Sequence, residues 1–289
     1  MVDTIIHFGK NGCNYQLYAM NTDTTTAFDP LAVQRVRNAV QVRSVQVQQV
    51  HRTSPHLVRI RFSGEALRGF ASASFDDHIK FMLPPDPREP LVLPMTGPDG
   101  LALPAGAPRP VMRDYTPRWF DAEAGLLDIE FALHGDGFAA AWAAQAQPGQ
   151  QVGVGGPRGS FVVPTGFDWH LLVGDETALP AIARRLEELP AGTQALVIAE
   201  TADPADRRVL KSRAQLQVQW LTEGVDGGLA AAVQQMRLPA GEGYTWAAGE
   251  AAAMAATRRV LVDGLGLSRD RVRAAAYWKR GASAHHENL

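Results

Sequence analysis

At Phe167 the chain changes its period, and that change constrains the fold more than any other feature. Before it, apolar and polar residues alternate in VQVRSVQVQQV from Val40 and in LVRIRFSG after the turn HRTSPH. HIKFMLP, YTPRWFD, GLLDIEFALH and QQVGVGGPRGSFVV continue the series, and EALRGF supplies one helical turn. Alternation of period two marks half-buried strands. The Pro/Gly-rich stretches PPDPREP and TGPDGLALPAGAPRP read as loops. Six or so short antiparallel strands predict a small closed barrel. After Phe167, WHLLVGDE, TQALVIAE, LQVQWLTE, YTWAAGE and VRAAAYWKRG are strands. TALPAIARRLEELP, GLAAAVQQM and EAAAMAATRRVLVDGLG carry helical spacing among them. Strand and helix in alternation predict a parallel sheet with right-handed crossovers. The expectation is an antiparallel β-barrel domain over residues 39–165 and an α/β parallel-sheet domain over 166–289, with the boundary in Pro164–Asp168. Residues 1–38, with the Thr- and Asp-rich NTDTTTAFDP, are expected to be an irregular extension.

Composition narrows the chemistry. With 28 basic and 30 acidic residues the net charge is −2, so no global cationic field invites nucleic acid or anionic lipid. The single cysteine, Cys13, can form no internal disulfide and cannot supply the ligands of an iron–sulfur cluster. Any redox chemistry needs another carrier. The eight histidines show no spacing suited to a closed metal site, and His285 and His286 fall in the tail GASAHHENL, so no protein-bound metal is expected. No apolar run reaches the roughly 18 residues of a membrane span. The start of the chain shows no secretory pattern, and a soluble cytoplasmic protein is the expectation.

Three constellations carry chemistry. In Arg113-Asp114-Tyr115-Thr116-Pro117-Arg118 an aromatic and a hydroxyl are flanked by arginines on a barrel strand. Tyr115 offers a flat face for an isoalloxazine ring, Thr116 can reach a ring nitrogen, and Arg113 and Arg118 can fork onto phosphate oxygens. The alternative is a strand with a solvated basic edge. In His134-Gly135-Asp136-Gly137-Phe138-Ala139 a strand gives way through glycines to a small-residue helix, which suits a pyrophosphate or an ordinary turn. Gly155-Gly156-Pro157-Arg158-Gly159-Ser160 allows close backbone approach and adds a fixed cation, or is a tight loop.

With these in view, the chain resembles the siderophore-interacting proteins, flavin-dependent ferric-siderophore reductases of the ferredoxin-reductase-like superfamily. The resemblance rests on DDHIKFMLP, RDYTPR, DIEFALHGDGFAAAWA, GGPRGSF, LLVGDETALPAIARRLEELP, WAAGE and YWKRG, in order from residue 76 to residue 281. It implies an FAD-binding barrel followed by a domain like those that bind a nicotinamide cofactor. Carried over by position, it implies that Arg113, Tyr115, Thr116, Arg118, His134, Gly137, Ala139, Ser160, Asp175, Thr177 and Tyr277 hold cofactors, and that Thr116 and Trp278 serve the reaction. It also implies a basic group for the anionic substrate, here Lys80, Arg158 and Lys279, with Arg280 as a substitute for Lys279. The physical case for such a group is independent, because a ferric tris-catecholate carries several negative charges and a protein of net charge −2 offers it no attraction without a local basic patch.

One stretch departs from the pattern. Gly174-Asp175-Glu176-Thr177-Ala178-Leu179-Pro180 stands where related reductases have a glycine-rich turn, yet it is acidic where a pyrophosphate would lie. Glu200, at the end of the next strand, is placed to take a ribose hydroxyl and favour NADH, whereas Arg207 and Arg208 can meet a 2′-phosphate. The expectation is therefore an FAD-dependent ferric-siderophore reductase with NAD(P)H as donor, releasing iron as Fe(II), with ferredoxin as a possible donor. The alternatives are a flavin reductase serving ferredoxin or flavodoxin, and a non-catalytic siderophore-binding module.

Overall fold

The computed structural model describes residues 29–97, 100–133, 137–282 and 287–288. The chain divides into two compact units, Met1–Pro30 and Leu31–Leu289, and the elements described here belong to the second. Cys13, His134, His285 and His286 lie outside the described residues.

The first half of the second unit is antiparallel. β1 (Gln34–Arg37) pairs with β11 (Gly159–Val162), with Val36 opposite Ser160. This strand lies in the stretch expected to be irregular through residue 38. QRVR alternates over too few residues to be read, and what anchors it is Leu31 and Val33 packing on the core beside Phe161. The main sheet has seven strands: β2 (Val42–Ser54), β3 (Leu57–Ser63), β4 (Ile79–Leu83), β7 (Val111–Tyr115), β8 (Pro117–Asp121), β9 (Leu126–Ala132) and β10 (Gln151–Gly155). Its order is β7-β4-β10-β2-β3-β9-β8, so the two edge strands are consecutive in the chain and meet at Thr116. Alternate side chains fill its interior, among them Val45, Ile60, Phe62, Phe81, Ile129, Phe131 and Val154, and α1 (Phe138–Ala144) closes one side. A small hairpin of β5 (Met95–Gly97) and β6 (Gly100–Ala102) lies apart from this sheet.

The second half is a six-stranded sheet of order β14-β13-β12-β15-β16-β17. β12 (Trp169–Gly174), β13 (Gln194–Thr201), β14 (Gln215–Thr222), β15 (Gly243–Glu250) and β16 (Val272–Trp278) run parallel, and β17 (Glu287–Asn288) adds an antiparallel edge. The inner strands read as unbroken apolar runs because both faces are covered. Leu172, Val197 and Trp246 meet α2 (Leu179–Glu188) on one face. Leu171, Val173 and Ile198 meet α3 (Leu229–Gln235) and α4 (Ala251–Arg259) on the other. The crossover from β13 to β14 carries only the turn Pro204–Asp206.

The halves are tied by aromatic packing and by charge. Phe75, from the barrel side, stands edge-on to Trp246 at 5.4 Å. Arg118 of β8 binds Glu187 of α2 through two bonds of 2.9 and 2.6 Å, and Arg208 reaches Glu130 of β9 at 2.7 Å. Among the described residues no helix is long and apolar enough to cross a membrane.

Candidate flavin and donor site

The edge of the barrel is built by the antiparallel register of β4 and β7, which sets Ile79 against Tyr115, Lys80 against Asp114 and Phe81 against Arg113. The Tyr115 ring lies 4.4 Å from that of Phe131 and 5.7 Å from that of Phe81, so the core fixes one side of it. Burial pushes its hydroxyl well above the usual tyrosine range. Arg113 shares the strand face of Tyr115, stands opposite Phe81 and is half-buried. Its only hydrogen bond among the described residues is to the Met112 carbonyl at 2.8 Å, which leaves most of its five donors available. Thr116 is buried at the seam between β7 and β8, and its hydroxyl meets the Tyr277 phenol. This donor set fits an FAD: a guanidinium with spare donors, a held aromatic wall and a hydroxyl at one edge.

Two buried carboxylates organise the rest. Asp76, which precedes β4, accepts from the Tyr277 hydroxyl at 2.9 Å and from Arg273 Nε at 2.5 Å. Both partners stand on β16, so Asp76 pins the last parallel strand to the barrel. Burial, and then the charge of Asp76, hold the Tyr277 phenol far above its usual range. Asp175, which follows β12, accepts from the Thr177 amide at 2.9 Å and the Thr177 hydroxyl at 2.5 Å. It also accepts from the Glu250 amide at 2.9 Å and from Trp278 Nε1 at 2.8 Å. One carboxylate thus joins the ends of β12, β15 and β16. Gly174 and Gly249 make room for it. A Cβ at Gly174 would fall 2.5 Å from the Ala248 carbonyl oxygen, and Gly249, at φ +152°, lets Asp175 approach to where its own Cβ would be.

The structure brings Thr116 together with Tyr277, and Asp175 together with Thr177 and Trp278. Other expected ligands are committed elsewhere. Arg118 is spent on Glu187, and Glu130 lies 3.5 Å from its Nε, so it faces an ion-pair network rather than a phosphate. The Ser160 hydroxyl donates to Asp77 at 2.7 Å and accepts from the Ala73 amide, inside the barrel wall. Arg208 is bound to Glu130, and Arg207 donates to the Thr222 hydroxyl at 2.7 Å. Ala139 is buried in the barrel core and Gly137 precedes α1, so only their backbones can serve a ligand.

The basic residues separate into two places. Lys80, half exposed, is paired with Asp114 at 2.8 Å and lies beside Gly155 in the register of β4 with β10. Arg158 follows within three residues, after the cis Gly156–Pro157 bond, and is exposed. Lys279 follows β16 and is exposed. Arg280 lies on the donor side instead, bound to Glu223 at 2.8 Å with its guanidinium 6.0 Å from the Trp278 ring centroid. There, at the carboxyl ends of the parallel strands, is a cavity of about 290 Å³ walled by Trp278, Arg280 and the carboxylates of Asp175, Glu176, Glu200 and Glu223. That is the position at which open α/β sheets take ligands. Burial first, and then the charge of Asp175, pushes Glu176 up to about 8. Burial first, and then the charges of Glu223 and Asp175, raise Glu200.

Sequence reasoning did not single out Asp76, although it stands in DDHIKFMLP. Its signal was present in type only, since an acid entering a buried strand demands a partner.

Residues 46–161 match the model of the siderophore-interacting FAD-binding domain, and residues 167–281 match the model of the siderophore-interacting protein. The chain belongs to the siderophore-interacting protein family. Among curated relatives of the family, the NADPH-dependent ferric-chelate reductase of Escherichia coli is 39% identical over 255 residues, covering 86% of this chain and 97% of the relative. The ferric vibriobactin reductase of Vibrio cholerae is 34% identical over 242 residues, covering 81% and 89%. A siderophore utilization protein from T. fusca superposes with a TM-score of 0.79 at 37% identity, covering 88% of this chain and 98% of that one.

Proposed function

We propose that the chain is an FAD-dependent reductase of ferric siderophores that works in the cytoplasm and takes electrons from NAD(P)H. The observation that carries the reading is Trp278, whose indole is fixed by Asp175 at the donor cavity while its neighbour Tyr277 is fixed by Asp76 at the barrel edge. Two adjacent residues of one strand thereby border both halves of the expected electron path. FAD, when bound, accepts electrons as a pair and gives them up singly. One NAD(P)H reduces two ferric chelates, yielding NAD(P)+, one proton and two Fe(II). Fe(II) carries less charge than Fe(III) and binds hard oxygen donors more weakly, so the chelator lets it go.

In this reading Arg113, Tyr115 and Thr116 hold the flavin, with the domain division at residues 165/166. Lys80, Arg158 and Lys279 attract the anionic chelate. Support for the donor comes from the E. coli relative, named as NADPH-dependent, and support for the substrate from the two reductases named for ferric chelates. A ferredoxin, which brings no pyrophosphate to the carboxylates that wall the donor cavity, is the second reading for the donor. The test is anaerobic bleaching of the bound flavin by NADPH, NADH and reduced ferredoxin in parallel, followed by addition of ferric siderophores. Reoxidation of the flavin with release of chelatable Fe(II) supports the reductase. A purified protein that takes up no FAD supports a binding module.

A further inference from the structure

The donor cavity has its polar groups arranged against phosphate. In a dinucleotide-binding sheet domain the amides that open the helices after the strands face the pyrophosphate. Here those amides already hold the chain's own carboxylates. Asp175 occupies the Thr177 amide at the turn into α2 and the Glu250 amide at the end of β15. The Glu250 carboxylate accepts from Ala252 and Ala253, the first amides of α4, at 2.6 and 3.0 Å. Glu176, Glu200 and Glu223 complete the wall. Arg280, the cation among the lining residues, is bound to Glu223 at 2.8 Å. What the cavity offers a donor is the Trp278 side chain, held in place by its indole N–H on Asp175.

We propose that the donor is recognised by its nicotinamide end against Trp278, and that Asp175, Glu200, Glu223 and Glu250 repel its phosphates. Reduced nicotinamide mononucleotide then serves at least as well as the whole dinucleotide. The inference rests on the nicotinamide-donor reading above and makes it specific. The pyrophosphate of the dinucleotide carries about the charge of the mononucleotide's own phosphate, but the 2′-phosphate of NADP(H) adds further like charge against a wall rich in carboxylates, within the range at which ions in solution screen it. Salt should therefore help the dinucleotide. At a site that anchors phosphate on amides and arginines, salt should hurt it.

The test uses the FAD-loaded protein. Binding of NADP+, NAD+ and nicotinamide mononucleotide is measured by calorimetry at about 20 and about 300 mM salt, spanning the range over which the Debye length shrinks several-fold. The mononucleotide should bind within about threefold of NADP+ or tighter, and NADP+ should tighten as salt is raised. Glu200→Gln and Glu223→Gln should each tighten NADP+ by about threefold or more and move the mononucleotide less. If calorimetry detects neither, the concentration dependence of flavin bleaching by the reduced compounds supplies the same comparison. NADP+ binding tenfold or more tighter than the mononucleotide, on the order of 1.4 kcal/mol, and weakening with salt would overturn the proposal. Bleaching by dithionite but by no nicotinamide compound is a different failure, since it removes the donor reading itself.

Discussion

The Tyr277 hydroxyl donates to Asp76 at 2.9 Å across 201 residues of sequence, and with Arg273 on the same carboxylate it fastens the last parallel strand to the barrel. Tyr277→Phe removes a hydrogen bond to a charged group and should cost on the order of 1.5–3 kcal/mol. Asp76→Ala should cost more, because it leaves the half-buried Arg273 without its anion. A double-mutant cycle read by denaturant unfolding checks the coupling. Additive losses would show that the two side chains do not support one another.

Arg113→Ala should weaken FAD binding by roughly 10- to 100-fold, the equivalent of a charged hydrogen bond or two, with folding intact. Fluorescence quenching of FAD titrated into apoprotein measures this. Unchanged affinity in both Arg113→Ala and Tyr115→Ala would remove the barrel edge from flavin binding.

Glu176 makes stability depend on pH in a stated direction. Its pKa is raised from an ordinary 4.5 to about 8 by burial and then by Asp175, with Glu223 and Asp206 adding to the effect. The folded state therefore binds a proton that the unfolded chain has lost. Stability associated with this group is complete below about 4.5 and declines as pH rises toward about 8. Glu176→Gln should flatten that decline and raise Tm at pH 8 by a few degrees, at about 2–4 °C per kcal/mol for a chain of this size. Thermal melts of both proteins from pH 5 to pH 8.5 decide it, and parallel curves would mean the carboxyl ionises normally.

His170 works in the opposite direction. It is buried beside Phe167 and Arg185, and burial followed by the arginine's charge lowers its pKa to about 3. It stays neutral in the folded state while the unfolded chain protonates below about 6.5, so stability should fall as pH drops from 6.5 toward 3. His170→Phe should reduce that acid sensitivity, measured as the change in urea midpoint between pH 7 and pH 4.5.

For the substrate, Lys80→Ala combined with Arg158→Ala should leave FAD binding largely intact. Apparent affinity for an anionic catecholate complex should fall, and most of its salt dependence should go with it. A neutral hydroxamate complex should be affected less. Equal losses for both chelates would place the damage at the flavin.

How much of this was readable before the structure depended on distance along the chain. The period change at Phe167 placed the barrel and the parallel sheet, because strand and helix patterns are local. Arg113, Tyr115 and Thr116 could be grouped as candidates for the same reason, since they lie within four residues of one strand and its end. Arg118, Ser160 and Arg208 carry the same types of group, yet their donors go to Glu187, Asp77 and Glu130, partners that no local spacing indicates. Asp175 was legible as an anomaly, an acid where phosphate would lie. That it ties three strand ends together was not, because the ties come from Glu250 and Trp278.

The fastening of α2 has a mechanical consequence. Arg184 binds the Ser72 hydroxyl, the Ser72 carbonyl and the Pro117 carbonyl, while Glu187 takes both bonds from Arg118. The helix that follows the Asp175 turn cannot swing from the barrel without stripping these five hydrogen bonds at once. Such a molecule has no hinge at this seam. A frame braced in this way favours ligands entering through openings that already exist over the opening of a jaw between the two halves.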